Sequence, residues 1–147
     1  MAIFLTTAAL ALASCGRKPV YSHFEHVDTE GWDKTDTLCF KAAVNDSGRY
    51  AVTLGLRANS TYPYTSITMS VELRTAKTRQ NIASLINIGI TDDDGNRQGS
   101  GLTIQQLETA LPVINASKSD TITVCVAHAM SRRTLTGITD VGITIGE

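Results

Sequence analysis

Apolar residues recur at every second position in several short segments of this chain, the pattern of strands with one buried face. Leu38, Phe40, Ala42 and Val44 share one phase. Val52, Leu54 and Leu56 share another, flanked by Thr53 and Arg57. Ile67, Met69, Val71 and Leu73 alternate with Thr68, Ser70 and Glu72, and Ile86, Ile88 and Ile90 with Asn87 and Gly89. Ile122, Val124 and Val126 continue through His128 to Met130, and Val141, Ile143 and Ile145 close the chain. Tyr21 to Asp28 supplies a seventh strand candidate. Asn45-Asp46-Ser47-Gly48, Asn59-Ser60-Thr61-Tyr62-Pro63 and Asp92-Asp93-Asp94-Gly95-Asn96 carry turn chemistry between them, because Asn, Asp and Gly tolerate left-handed backbone angles. The expectation is an all-β fold: a two-sheet antiparallel β-sandwich of about seven to eight strands, jelly-roll or immunoglobulin-like.

Two stretches resist this reading. Thr75 to Ala83 is polar and suits a loop or a single helical turn. Leu102 to Leu111 contains Gln105, Gln106, Leu107, Glu108 and Ala110, which favour a helix locally, while Leu102 and Ile104 alternate as in a strand. A bent strand is the preferred reading, and Pro112 ends either element. No internal repeat or interdomain linker interrupts the pattern, so residues 21–147 are expected to form one domain.

Composition narrows the function. Thirteen Lys and Arg against 14 Asp and Glu leave a net charge of −1, with no basis for a nucleic-acid partner or an anionic surface. The 42% hydrophobic content suits a packed core. The first residues are different in kind. Ala2 to Ala13 is almost wholly apolar or small and ends at Leu12-Ala13-Ser14-Cys15-Gly16. A stretch of that length is too short to span a bilayer, and its small residues mark a cleavage site. Leu-Ala-Ser-Cys resembles the lipobox of bacterial lipoproteins. The resemblance implies a signal peptide over residues 1–14, cleavage before Cys15, and lipid on that cysteine. Residues 15–20 would then form a lipidated tether, with Gly16-Arg17-Lys18-Pro19 as its polar part. A diacylglycerol supplies the two chains that stable anchoring needs, at about 0.8 kcal/mol per buried methylene.

Candidate chemistry is sparse. Cys39 and Cys125 each sit inside a strand-like run and are read as small apolar core residues; export makes a disulfide between them chemically possible without requiring one. His23 and His26 lie three apart, which in a strand places them on opposite faces, unfit to share a metal. There is no C-x-x-C, and no G-x-S-x-G nucleophile elbow. The acidic run from Asp92 lacks the carboxylate that an EF-hand loop needs at its twelfth position, where Thr103 stands, so it reads as a solvated turn. Arg132 or Arg133 is expected to pair with Asp140 across a closing hairpin. Catalytic residues, metal ligands and cofactors are therefore not expected. Trp32, Tyr62 and Tyr64 are the candidates for partner contact, Trp32 weighed also as a core anchor and Tyr62-Pro63-Tyr64 as an open docking loop.

Three landmarks give a more specific lead. Gly31-Trp32 leads into Asp36-Thr37-Leu38-Cys39-Phe40. Leu54-Gly55-Leu56-Arg57 precedes Asn59, Tyr62-Pro63-Tyr64 and Ile67. His128-Ala129-Met130 is followed by Leu135-Thr136-Gly137-Ile138-Thr139-Asp140-Val141-Gly142-Ile143. With the lipobox, this order resembles the gliding motility lipoprotein family GldH from about Tyr21 to Ile145. Thr91 to Ser119 departs from it apart from Gly99-x-Gly101, and Ser131 stands where the family often has Arg after the C-terminal Met. The resemblance implies a non-enzymatic, outer-membrane-associated assembly or scaffold component of the gliding or type 9 secretion machinery of Bacteroidetes-type bacteria, with protein partners in the envelope. The basic Gly16-Arg17-Lys18 favours the periplasmic face. A glycan-binding surface lipoprotein, stacking sugars on Trp32 and the tyrosines, is the alternative.

Overall fold

The computed structural model describes residues 16–147; the expected signal peptide and Cys15 lie outside them. The described residues form strands and no helix. These are β1 (Tyr21–His26), β2 (Trp32–Asp33), β3 (Leu38–Ala43), β4 (Gly48–Ala58), β5 (Ser66–Thr75), β6 (Asn81–Gly89), β7 (Gln105–Ala110), β8 (Ile114–Ala116), β9 (Thr121–His128), β10 (Thr134–Leu135) and β11 (Ile138–Gly146). Every pairing is antiparallel. One sheet runs β1-β11-β4-β7, with β8 alongside the start of β4; a second runs β3-β9-β5-β6; and β10 pairs with β2 in a small ribbon. The fold is all-β and built from antiparallel sheets, as the period-two pattern predicts.

Most of the alternating residues read from the sequence are buried, with Leu38, Ile86 and Met130 half-buried against them. Val52, Leu54 and Leu56 of β4, Ile67, Met69, Val71 and Leu73 of β5, Ile122, Val124 and Val126 of β9, and Val141, Ile143 and Ile145 of β11 join one hydrophobic cluster. Each such side chain contributes roughly 1.5–3 kcal/mol when removed from water. The two ambiguous stretches also resolve. Within Thr75 to Ala83, residues 76–80 form the turn between β5 and β6, with Arg79 at φ 53°, and Asn81 already begins β6. The second stretch holds β7, but in the opposite phase to the one Leu102 and Ile104 suggested. Gln105 and Leu107 point inward, and Leu102 is 95% exposed on the preceding loop. A polar residue can take the inward position because the Gln105 amide donates to the carbonyls of Ile90 and Gln98.

The expectation for the cysteines is corrected: Cys39 and Cys125 form a disulfide. They stand directly opposite one another on β3 and β9. Val44 N–H donates to Asp120 O, so hydrogen-bonded pairs in this ladder fall at 44/120 and every second step from there, and Cys39–Cys125 occupies a non-hydrogen-bonded pair. That is the position where side chains across a ladder come closest; the Cα atoms are 4.1 Å apart. Register created the proximity, and register is invisible in a one-dimensional pattern.

At the end of the molecule where β1 begins, Asp120 ties the β5–β6 turn to the loop before β9. Its carboxylate accepts from the backbone N–H of Lys77 (2.8 Å), Thr78 (3.3 Å) and Ser117 (3.3 Å), and from both of those segments' hydroxyls, Thr78 and Ser117. Burial alone would raise the pKa of this carboxyl. The N–H groups of Lys77, Thr121, Ser117 and Thr78 overcome that effect and hold it far below the usual carboxylate range. Tyr50, buried beside this corner, donates its hydroxyl to Asp46 O at 2.6 Å.

Candidate functional site

The loops at the opposite end carry the candidate contact residues. Asn59 opens the first loop: its side-chain oxygen accepts from Thr61 N–H at 3.0 Å and from the Thr61 hydroxyl at 2.6 Å, an Asx turn that starts the reversal after β4. Asn59 N–H donates to Gly137 O, which ties this loop to the one between β10 and β11. Gly137 sits at φ 87°, and a Cβ there would collide with the Tyr62 backbone. Only glycine allows the two loops to approach this closely.

That approach seats Tyr62. It is 8% exposed, its hydroxyl donates to Ser66 O at 2.9 Å, and desolvation pushes its phenol well above the ordinary tyrosine pKa. Tyr64 packs against it edge-on, with ring centroids 5.7 Å apart, and is half-buried. Tyr64 borders two depressions, one shared with Asn59, Ile90, Arg97 and Gln105 and one lined by Pro63, Arg132 and Thr136. Tyr64 is therefore the aromatic of this loop that a partner can reach.

Trp32 lies deeper. It is 1% exposed, donates Nε1–H to Asp36 O at 3.1 Å, and packs edge-on against His128 at 5.2 Å between ring centroids. His128 Nε2 donates to the Trp32 carbonyl at 3.1 Å, which fixes the neutral ring with its proton on Nε2. Its Nδ1 is buried without a hydrogen-bond partner, and desolvation lowers the pKa below the usual histidine value. In this environment Trp32 acts as a core anchor beneath the loops and offers almost no surface.

The expected Arg–Asp140 pair is replaced by two others. Arg133 Nε reaches Asp33 Oδ2 at 3.0 Å, across the β2–β10 ribbon rather than toward β11. Asp33 also accepts from Thr35 N–H and the Thr35 hydroxyl, and these bonds, the Thr35 backbone first, lower its pKa to about 2. Asp140 instead lies 3.6 Å from His26 Nδ1 and accepts from the Thr139 hydroxyl. The reason is the ribbon: pairing Thr134 with Asp33 draws Arg133 to that side.

Among the described residues no cluster of three or more His, Cys, Asp and Glu is placed to hold a metal ion. The Asp92 carboxylate is already engaged by the N–H groups of Asp94 and Asn96, which keep its pKa low and close the turn. His23 contacts Glu25 at 3.0 Å and His26 contacts Asp140, on opposite sides of β1.

Sequence reasoning missed one constellation on the solvent side of the first sheet. Phe24 of β1 stands opposite Gly142 of β11, which stands opposite Gly55 of β4. The ring lies across both glycines; a Cβ at either would come within 2.6 Å of it. The Arg57 guanidinium caps the ring at 4.0 Å from its centroid. The signal was present as glycines inside strands, on the face opposite the buried apolar residues, which mark places where something packs on the backbone.

Comparison with known proteins agrees with the landmarks. The chain is 29% identical over 100 residues to the gliding motility lipoprotein GldH of Flavobacterium johnsoniae, a match covering 67% of this chain and 62% of that one. It thus spans less than two thirds of that relative's length. A solved structure, that of Eiger TNF from S. frugiperda, aligns over 86% of this chain and 92% of its own at 9% identity, with a TM-score of 0.38. The model of the GldH lipoprotein family matches residues 19–145, from the approach to β1 into β11, and the chain belongs to that family.

Proposed function

We propose that this protein is a non-enzymatic lipoprotein of the cell envelope, held at the periplasmic face of the outer membrane through lipid on Cys15, where it serves as an assembly component of gliding or type 9 secretion machinery. Membership of the GldH lipoprotein family supports the reading. The strand orders β1-β11-β4-β7 and β3-β9-β5-β6 support a further specification, a two-sheet jelly roll over residues 21–147, since each sheet interleaves early and late strands.

The observation that carries the proposal is the placement of the reachable aromatic. Val20 N–H bonds Ile145 O, so the tether would enter at the end where Asp120 gathers its loops. Tyr64 sits at the other end, about 25–30 Å away given a rise of about 3.3 Å per residue along strands of this length. A lipid at one end and an aromatic loop at the other suit a body that stands on a membrane and presents its far end to a partner. Tethering then raises the partner's effective concentration. Trp32 and Tyr62 serve this contact from beneath, by fixing the loop. The glycan-binding alternative gains less, because Trp32 is buried and Phe24 is capped by Arg57.

The test is Tyr64→Ala in the full chain, with Cys15→Ser beside it. Tyr64→Ala should keep the melting temperature within a few degrees and sharply reduce recovery of envelope proteins on purification from membranes. Cys15→Ser should move the chain to the aqueous phase in detergent partition. Undiminished recovery with Tyr64→Ala removes the docking role, and a Cys15→Ser variant that stays with the membrane removes the anchor.

A further inference from the structure

The disulfide lies on the solvent side of the second sheet, and its two sulfurs are not equivalent. Cys39 is exposed, on an edge strand that pairs only with β9. Cys125 is 8% exposed, in an interior strand. Across the β9–β5 ladder, Arg74 places Nη2 at 3.6 Å from Cys125 Sγ, while its Nε lies 3.5 Å from Glu72 Oε1. Lys41, two residues from Cys39 along β3, is also exposed on that side. The inward neighbours Phe40, Val124 and Val126 are buried on the other face of the same strands.

Thiol–disulfide exchange is an in-line displacement whose rate depends on access to the attacked sulfur and on how well the leaving sulfur carries negative charge. Both requirements are met here with one polarity. We propose that Cys39–Cys125 is an exchange site, in which an incoming thiolate attacks Cys39 Sγ and Cys125 Sγ leaves as a thiolate stabilised by the Arg74 guanidinium. The co-reactant is a dithiol, the chemistry of a thiol–disulfide oxidoreductase. Its first thiolate forms a sulfur–sulfur bond to Cys39 as the Cys39–Cys125 bond breaks and the electron pair passes to Cys125. Its second thiol, on losing its proton, attacks the dithiol's own sulfur in the mixed disulfide and expels Cys39 as thiolate. The two protons of the dithiol end on Cys39 and Cys125; the dithiol is oxidised to a disulfide and this protein is reduced. Run backwards, the same steps close the bond in the folded chain. Opening it removes the covalent link that fastens β3 at the sheet edge and leaves the buried face in place.

The experiment uses the full chain under native conditions. Glutathione is added, exchange is quenched with acid, and the mixed disulfide is mapped by peptide mass spectrometry; the rate of opening by dithiothreitol is followed in parallel for the wild type, Arg74→Met and Arg74→Lys. Glutathione should be found on Cys39, and Arg74→Met should open about fivefold more slowly, because the leaving sulfur loses the cation beside it. Arg74→Lys should recover most of the rate. Glutathione on Cys125, an opening rate unchanged in Arg74→Met, or a bond that opens only in denaturant would overturn the proposal. Glutathione mapping on the wild type decides the matter even if Arg74→Met folds poorly.

Discussion

The edge strands β1 and β3 each have six residues, and each is fastened to its neighbour from the solvent side, by different chemistry. β3 buries Phe40 and Ala42 on its inner face and adds a covalent bond outside. β1 is inverted. The residues on the same side as buried Val141, Ile143 and Ile145 are Glu25, His23 and Tyr21, whereas its apolar Phe24 lies on the outer side over Gly142 and Gly55. A strand with little to bury inward can be held by an aromatic ring laid on glycine backbone, and one with a modest inner face by a disulfide. The solvent side of a sheet is thus a second place where edge strands are secured.

The largest effect should come from breaking the covalent side. Replacing Cys39 and Cys125 together with Ser should lower the unfolding free energy by about 2–4 kcal/mol, since the bond closes a long loop in the unfolded chain. Urea denaturation should give the same loss for the wild type in reductant; a loss below about 0.5 kcal/mol would mean that β3 is held by its ladder and inner face alone.

On the non-covalent side, Gly142→Val puts carbon where the Phe24 ring lies and should cost about 1–3 kcal/mol. Combining it with Phe24→Ala should recover part of that cost, and the double-mutant cycle measures the coupling. Strict additivity would separate the glycine from the ring.

Acid sharpens the contrast, because His128 and Asp120, two groups with shifted pKa, sit at the ends of β9 and not under Phe24. His128 has its folded pKa below the unfolded value of about 6.5, so the unfolded chain takes up the proton first. Its contribution is fully present above that pH and is lost as pH falls toward the folded value. Asp120, depressed in the same sense, adds stability that is present above about pH 4 and fades below it. Melting temperature should decline between pH 7 and 5, and His128→Gln should flatten that segment of the curve; a wild-type profile flat from pH 7 to 5 would argue that His128 titrates normally.

The smallest effect is expected for Arg57→Met. It removes the cation over Phe24 and keeps much of the aliphatic cover, for about 0.5–1 kcal/mol. A loss above 2 kcal/mol would place the weight of the clamp on the guanidinium instead of the glycine slots.

Most of the strands were legible because burial on one face enforces period two. The exceptions have identifiable causes. Gln105 takes an inward position that a polar residue should avoid, because loop carbonyls of Ile90 and Gln98 satisfy its amide. Phe24 sits outward because two glycines, distant in sequence, come together beneath it. Packing divides the candidate contact residues: Tyr64 remains reachable, while Gly137 and Ser66 lock Tyr62 in place and His128 helps to enclose Trp32.

What this sequence determined by itself was the all-β class, the strands whose apolar residues alternate, the turn chemistry between them and the resemblance carried by ordered motifs. These depend on neighbours a few positions apart, where backbone geometry alone relates one side chain to the next. Tertiary structure decided the Cys39–Cys125 bond, the Phe24 clamp, the partners of Arg133 and Asp140, and which aromatic meets solvent. Each of those depends on register between strands far apart in the chain, and a shift of one residue would turn every side chain in the strand to the other face.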